Sequence, residues 1–271
     1  MNWKDCLAAD GAADPAAVAA ALYSARQAGS TLDGLLSAEL GISVEDAYRV
    51  QDQMTALRLA SGERVVGWKL GYTSAAMREQ MGVASPNFGP LTDVMVLDSP
   101  AVLPSGALQP RVEPEIGLRL GRRLLPPFSV QGVLDACDAA LACLEIVDSV
   151  WTGYRFKLED NTADGSSAAW VAVGSELPLT DLESLPVTLS VDDEAVESGT
   201  GAAASGHPAA GVVWLAEQLA ARGYWLEPGD LVITGGLTRA PSLEPGHRIS
   251  ASFGSFGSFG DGRWTAEVRR P

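Results

Sequence analysis

Histidine is nearly absent from this chain. Two histidines, His207 and His247, in 271 residues are too few for a histidine-rich zinc or iron site. Cysteine is almost as scarce. Cys6, Cys137 and Cys143 are odd in number and scattered, so we expect reduced thiols in a cytoplasmic protein rather than a disulfide framework. Positive charge is short as well: 19 Lys and Arg against 34 Asp and Glu leave a net charge of −15. That balance argues against nucleic acid or an anionic membrane as partner. No apolar run reaches membrane-span length. Met1-Asn2-Trp3-Lys4-Asp5 shows no basic region leading into an apolar one, so no signal peptide is expected. An anionic small molecule stays compatible, because a bound metal inverts the local field.

What is present is ordinary for a globular chain: 46% hydrophobic and 20% charged residues. The length suits one large domain or two small ones. The first sixty residues read as helical. Asp14 can cap a helix from Pro15 to about Ala28. Ser43 with Asp46 three residues on forms a capping-box variant. The apolar positions Ala47, Val50, Met54 and Leu57 then follow helical spacing, with Gly62 as stop. These helices could simply pack on the main body or frame an active-site mouth.

From Val65 the texture changes to short apolar runs between Gly and Pro turns. Strands are expected at Val65 to Leu70, Ile116 to Leu120, Ala140 to Val147, Ala168 to Val173, Val187 to Val191, Leu231 to Thr234, Ile249 to Phe253 and Trp264 to Val268. Helices are expected from Val130 to Ala139 and from Pro208 to about Arg222, the latter closed by Gly223. Gly199 to Gly206 reads as a loop. The Gly-Ser-Phe repeat over 253–260 reads as a glycine-kinked strand or turn. Strands dominate and helices are not regularly interleaved. The expected fold is therefore α+β, a mixed rolled β-sheet over 63–271 with an N-terminal helical segment over 1–62 packed on it.

Three glutamates stand out. Glu113 and Glu115 flank Pro114, and residues i and i+2 of a strand share a face. Such a pair is commonly the solvated face of an edge strand, and Pro114 fits an edge strand too. Glu145 is harder to dismiss. It interrupts the run Ala139 to Val147, otherwise apolar residues and cysteine, and a Glu there needs a partner. Carboxylates this close remain ionised together only around a cation. Three carboxylate donors suit magnesium or manganese. Lys69 lies on an apolar strand. Either its ammonium reaches solvent, or it serves these carboxylates as acid, base or charge partner.

Several strings together resemble the hydratase/decarboxylase branch of the fumarylacetoacetate hydrolase superfamily. They are Gly67-Trp68-Lys69-Leu70-Gly71 with Thr73-Ser74, Met81-Gly82-Val83, Pro86-Asn87-Phe88-Gly89-Pro90-Leu91, Pro110-Arg111-Val112-Glu113-Pro114-Glu115, Glu145-Ile146-Val147-Asp148-Ser149, Ala163-Asp164-Gly165-Ser166-Ser167 and Thr234-Gly235-Gly236-Leu237. The resemblance spans about Val65 to Val268. It implies that Glu113, Glu115 and Glu145 hold one Mg2+ or Mn2+ ion and that Lys69 is an acid/base or electrostatic residue of the site. It implies a substrate site drawn from Asn87, Asp164, Ser166, Ser167, Thr234 and Gly235, and a homo-oligomer. Two departures stand out. Hydratases of this branch usually carry Asp where this chain has Asn87, and their Asp-Asn-Ala-Ser string is Asp164-Gly165-Ser166-Ser167 here. Arg155 and Lys157 lie in either a solvated loop or reach of a distal substrate carboxylate.

The function this implies is a metal-dependent lyase acting on 2-oxo acids or 2-hydroxydienoates through a metal-stabilised enolate. A 2-keto-4-pentenoate-type hydratase is the first reading and a 4-oxalocrotonate-type decarboxylase the second. A carbon–carbon hydrolase, an isomerase, a recruited biosynthetic enzyme and a catalytically silent partner subunit are the remaining ones.

Overall fold

The computed structural model describes residues 3–75, 78–79, 82–254 and 264–271. Met81 of the 81–83 string and the Gly-Ser-Phe repeat beyond Gly254 lie outside the described residues.

Three helices open the chain: α1 (Pro15–Gln27), the short α2 (Leu36–Glu39) and α3 (Val44–Ala60). Asp14 Oδ1 accepts from Ala16 N at 3.0 Å and caps α1. At α3 the Ser43 hydroxyl accepts from Asp46 N, and Asp46 Oδ2 accepts from Ser43 N. Each cap satisfies backbone donors that the first turn leaves unpaired. The inner faces of α1 and α3 bury Val18, Leu22, Ala47, Val50 and Met54 with Trp3, and this cluster also takes in Val150, Trp151 and Ala163 from later in the chain. The N-terminal helices therefore share an apolar core with the segment that follows the sixth strand.

The remainder forms two sheets. Their strands are β1 (Val65–Gly71), β2 (Asn87–Thr92), β3 (Val96–Asp98), β4 (Ala101–Val102), β5 (Arg111–Leu120), β6 (Cys137–Val147), β7 (Ala168–Leu177), β8 (Pro186–Val191), β9 (Glu194–Thr200), β10 (Leu231–Ile233), β11 (Arg248–Phe253) and β12 (Trp264–Arg269). Helices α4 (Val130–Ala136), α5 (Leu158–Ala163) and α6 (Pro208–Ala221) interrupt them. The larger sheet runs β2-β1-β10-β5-β6-β7-β3, the smaller β4-β12-β11-β8-β9. Pairing is mixed: β1 with β10 is parallel, whereas β10 with β5 and β5 with β6 are antiparallel. One apolar core joins Val112, Ile116 and Leu144 of the larger sheet to Ile249, Phe253 and Val268 of the smaller. The α+β architecture with a curled mixed sheet agrees with the sequence pattern.

Three expectations need correction. Helix α4 stops at Ala136, and Cys137 already pairs with Leu120 in β6; strand pairing overrides the local helical preference. Gly199 and Thr200 belong to β9 rather than to a loop, and 201–203 form a 3-10 turn. A side chain at Gly199 would meet the Leu237 carbonyl at 2.2 Å, so the small residues there serve close packing. Pro114 does not mark an edge, because β5 lies between β10 and β6. Its carbonyl accepts from Leu237 N at 3.0 Å, beyond the end of β10. A strand residue directs its N–H and C=O to the same side, so the missing proline N–H faces that outlet and not β6. Strands β2, β3, β4 and β9 lacked a legible signal. β2, for example, carries Gly89 and Pro90 yet is buried throughout.

Candidate active site

Glu113 on β5 lies opposite Glu145 on β6, and Glu115 opposite Cys143. The i, i+2 rule holds: one ligand atom from each of Glu113, Glu115 and Glu145 lies within 4.8 Å of the others. Glu115 and Glu145 are 0% and 1% exposed and Glu113 is half-buried, so the Glu113–Glu115 pair is not the solvated face of an edge strand.

Lys69 arrives from a different strand. β1 and β6 are separated in the sheet by β10 and β5, which in a flat sheet is a gap of about 14 Å. Lys69 Nζ nevertheless lies 3.0 Å from Glu145 Oε1. The curl of the sheet closes that gap. Lys69 is 4% exposed, so the reading in which it reaches solvent falls away. Its ammonium donates to the Ser166 carbonyl at 2.8 Å.

Lys69 and Glu145 form a buried ion pair, although the angle between them is poor for a hydrogen bond. Among the described residues neither Glu145 oxygen nor Glu115 Oε1 has a hydrogen-bond partner. The other Glu115 oxygen accepts from Gly235 N at 2.7 Å. Burial, then the charge of Glu145, push the Glu113 carboxyl up to about 7. Burial, then Glu145 and Glu113, hold Glu115 well above the usual carboxylate range. Burial also raises Glu145, against the opposing pull of Lys69. For Lys69, burial works to lower the ammonium, but Glu145, Glu113 and Glu115 outweigh it and the net direction is up. Three clustered carboxylates, with buried oxygens lacking donors and only one nearby ammonium, are an incompletely compensated site. An all-oxygen carboxylate set fits a hard divalent cation such as Mg2+ or Mn2+, and these residues could hold one.

The site opens into a cavity of about 420 Å³. Lys69, Glu113, Ser166 and Ser167 line it, so the structure brings together four of the expected residues there. The apolar side chains of Leu70, Val147 and Phe156 line it too. No residue before Lys69 is in the lining. The N-terminal helices pack behind the site: Gln51 Nε2 donates to the Phe88 and Thr162 carbonyls, both at 2.9 Å.

Other expected residues sit outside the lining. Asp164 is buried in an ion pair with Arg26 of α1 at 2.7 Å and also accepts from Val150 N. It ties the helical segment to the site wall. Asn87 is fully buried behind the cavity, hydrogen-bonded to Asn161, Thr162 and Ser166. Thr234 gives its hydroxyl to the Ile116 carbonyl. Gly235 has φ 106, and a side chain there would meet Thr73 Oγ1 at 2.0 Å. Only glycine brings the Glu115-binding N–H this close. Arg155 is exposed, 3.9 Å from Asp33, and neither it nor Lys157 lines the cavity.

Sequence reasoning missed Arg111, Tyr72, Tyr154 and Asn161 as lining residues. Arg111 carried a signal: it stands two residues before Glu113, hence on the same strand face. Its guanidinium stacks 4.5 Å from the centre of the Tyr154 ring. Asn161 carried none, because only the packing of α5 against β2 brings it to the site.

Residues 65–261 match the fumarylacetoacetate (FAA) hydrolase C-terminal family. The chain belongs to that family. It is 37% identical to a 2-keto-4-pentenoate hydratase of Paraburkholderia xenovorans (strain LB400), over 89% of this chain and 91% of that protein. It is 36% identical to a 4-oxalocrotonate decarboxylase of a Pseudomonas species, over 82% of this chain and 88% of the relative. Among solved structures, 4-oxalocrotonate decarboxylase from Pseudomonas putida G7, complexed with magnesium and adipate, superposes with a TM-score of 0.87. That alignment has 29% identity and covers 95% of this chain and 97% of the other.

Proposed function

We propose that this protein is a divalent-metal-dependent lyase that hydrates 2-hydroxypenta-2,4-dienoate-type substrates. The observation that carries the reading is the trio Glu113, Glu115 and Glu145, with one ligand atom of each within 4.8 Å of the others, Glu115 and Glu145 buried, and Glu113 lining the cavity beside Lys69. Hydratases of this name at 37% identity support it.

Glu113, Glu115 and Glu145 would hold the ion. When bound, it supplies a Lewis acid that stabilises negative charge developing on the 2-oxygen of a 2-oxo acid. Lys69 keeps one N–H on the Ser166 carbonyl and its charge on Glu145; its remaining donor capacity can hold a substrate oxygen or give a proton at Nζ. Tyr72 is a neutral phenol at ordinary pH, since burial and then the charge of Asp160 raise it. Leu70, Val147 and Phe156 give part of the wall an apolar surface against bulk water.

The second reading is decarboxylation of a 4-oxalocrotonate-type diacid. Arg111 favours it: it lines the cavity, and among the described residues no carboxylate pairs with it in an ion pair, which suits a distal carboxylate. One product assay separates the two. With Mg2+ or Mn2+ present, the dienoate is converted to a 4-hydroxy-2-oxo acid under the first reading. Carbon dioxide release from the 2-oxo diacid, with no hydration of the dienoate, would favour the second. Loss of neither substrate would overturn both. We also expect a homo-oligomer, which light scattering on the purified protein checks.

A further inference from the structure

Asn87 is one of the two places where this chain departs from the hydratase pattern, and it does not line the cavity. It acts on the cavity wall through its neighbours. Asn87 Nδ2 donates to Asn161 Oδ1 and to Thr162 Oγ1, each at 3.0 Å. Its Oδ1 accepts from the Ser166 hydroxyl at 2.9 Å. With Asn161 Oδ1 thus turned toward Asn87, Asn161 Nδ2 turns toward Ser167 and donates to its Oγ at 2.9 Å. A hydroxyl that accepts there keeps its own proton free. Among the described residues no protein acceptor takes the Ser167 proton. Ser167 and Asn161 both line the cavity beside Lys69.

We propose that Asn87 is a positioning residue whose amide, relayed through Asn161, sets the Ser167 hydroxyl as a hydrogen-bond donor into the cavity, where it receives an oxyanion or carboxylate oxygen of the substrate. The backbone holds the donor in place. Gly165, Ser166 and Ser167 have successive φ values of 69, 58 and 55, a left-handed turn that two serines adopt at a steric cost. The Lys69 ammonium on the Ser166 carbonyl, Ser166 on Asn87 and Asn161 on Ser167 pin that turn from three sides.

The relay makes a polarity argument that residue identity at 87 can reverse. A carboxylate at 87 cannot donate. The Asn161 amide would then turn its N–H groups toward residue 87 and its oxygen toward Ser167. Ser167 would spend its proton on Asn161 and present only lone pairs to the cavity. A wall that now offers Lys69 and Ser167 as donors would lose one.

This inference rests on the 2-oxo acid reading of the site, and the probe is oxalate, a planar dianion resembling the enolate of a 2-oxo acid. Its dissociation constant is measured by calorimetry with saturating Mg2+, with the melting temperature of every variant recorded. Ser167→Ala should weaken oxalate roughly tenfold or more, the worth of a charge-assisted hydrogen bond. Asn87→Asp should weaken it by a similar factor. The double variant should be no worse than either single one, because both remove the same donor. Asn161→Asp provides a second route, since it leaves an acceptor facing Ser167 whatever stands at 87, and it should reproduce the loss even if Asn87→Asp is poorly folded. Independent, multiplying losses from Asn87→Asp and Ser167→Ala would overturn the relay, as would unchanged oxalate affinity in folded Ser167→Ala. The coupled pattern in a protein that turns over neither the dienoate nor the diacid would uphold the relay and overturn the proposed reaction.

Discussion

Glu113 and Glu145 face one another across the β5–β6 pair in direct antiparallel register, and Glu145 is 1% exposed with the Lys69 ammonium 3.0 Å from its Oε1. Directly opposed like charges destabilise a strand pair. Their retention in a buried sheet therefore points to a role that packing does not need.

Replacing either member should show this. Glu113→Gln and Glu145→Gln should each weaken Mg2+ or Mn2+ binding by at least the roughly 10–100-fold lost on changing outer-shell partners, and should abolish metal-dependent turnover. Circular dichroism should show a folded chain in both. Full activity in either variant would remove the metal assignment.

The metal-free protein should lose stability as pH rises. Burial pushes the Glu113 carboxyl up to about 7 in the folded chain, from 4.5 for an ordinary solvated Glu. A raised folded pKa means the folded state prefers the proton. Its contribution is therefore full below about 4.5 and is lost as pH climbs through about 7. Melting temperature without metal should fall across that window. Saturating Mg2+ should flatten the slope, since the ion replaces the proton as partner. A metal-free melting temperature that rises across this range would contradict the assignment.

Lys69→Met should separate chemistry from binding. The change removes a positive charge 3.0 Å from Glu145, so metal affinity should hold or improve. The chemical step should slow by about 10²–10⁴, the usual worth of a positioned acid or base. Calorimetry for the metal and single-turnover kinetics for the step check the two halves. If only the melting temperature changes, Lys69 is structural.

Arg26→Met should act through folding alone. It leaves the Asp164 carboxylate buried without its ion-pair partner, and breaking such a pair costs about 3–5 kcal/mol. Denaturant unfolding should report that loss. Mg2+ affinity should stay within about threefold, because Asp164 does not line the cavity.

Gly235→Ala tests the backbone donor to Glu115. A side chain at φ 106 is strained and would overlap Thr73, so the Gly235 N–H should be displaced from Glu115. We expect a lower melting temperature and weaker metal binding together. Unchanged binding would show that this donor does not position Glu115.

Much of the site was legible because it lies in short strings of local periodicity. The i, i+2 rule put Glu113 and Glu115 on one face, and a lone Glu in an apolar strand marked Glu145. The capping residues Asp14 and Ser43 announced α1 and α3 because a cap is a contact within three residues of chain. What depended on long-range pairing stayed hidden. β2 was missed because its Gly89 and Pro90 are strand breakers locally and acceptable only beside β1. The two readings of Pro114 stayed open because whether a strand is an edge is a property of the sheet.

The sequence by itself marked three carboxylates and one lysine as candidates, along with the α+β alternation and the resemblance carried by strings in family order. These are facts of composition and near-neighbour spacing. Only the tertiary structure decided that Lys69 meets Glu145 across two intervening strands, that Asp164 belongs to Arg26, and that Asn87 hydrogen-bonds to Asn161, which in turn donates to Ser167. The physical reason is the curl of the sheet and the docking of α5 on β2. Both are set by burial of apolar faces summed over the whole chain, and no local segment encodes where those faces meet.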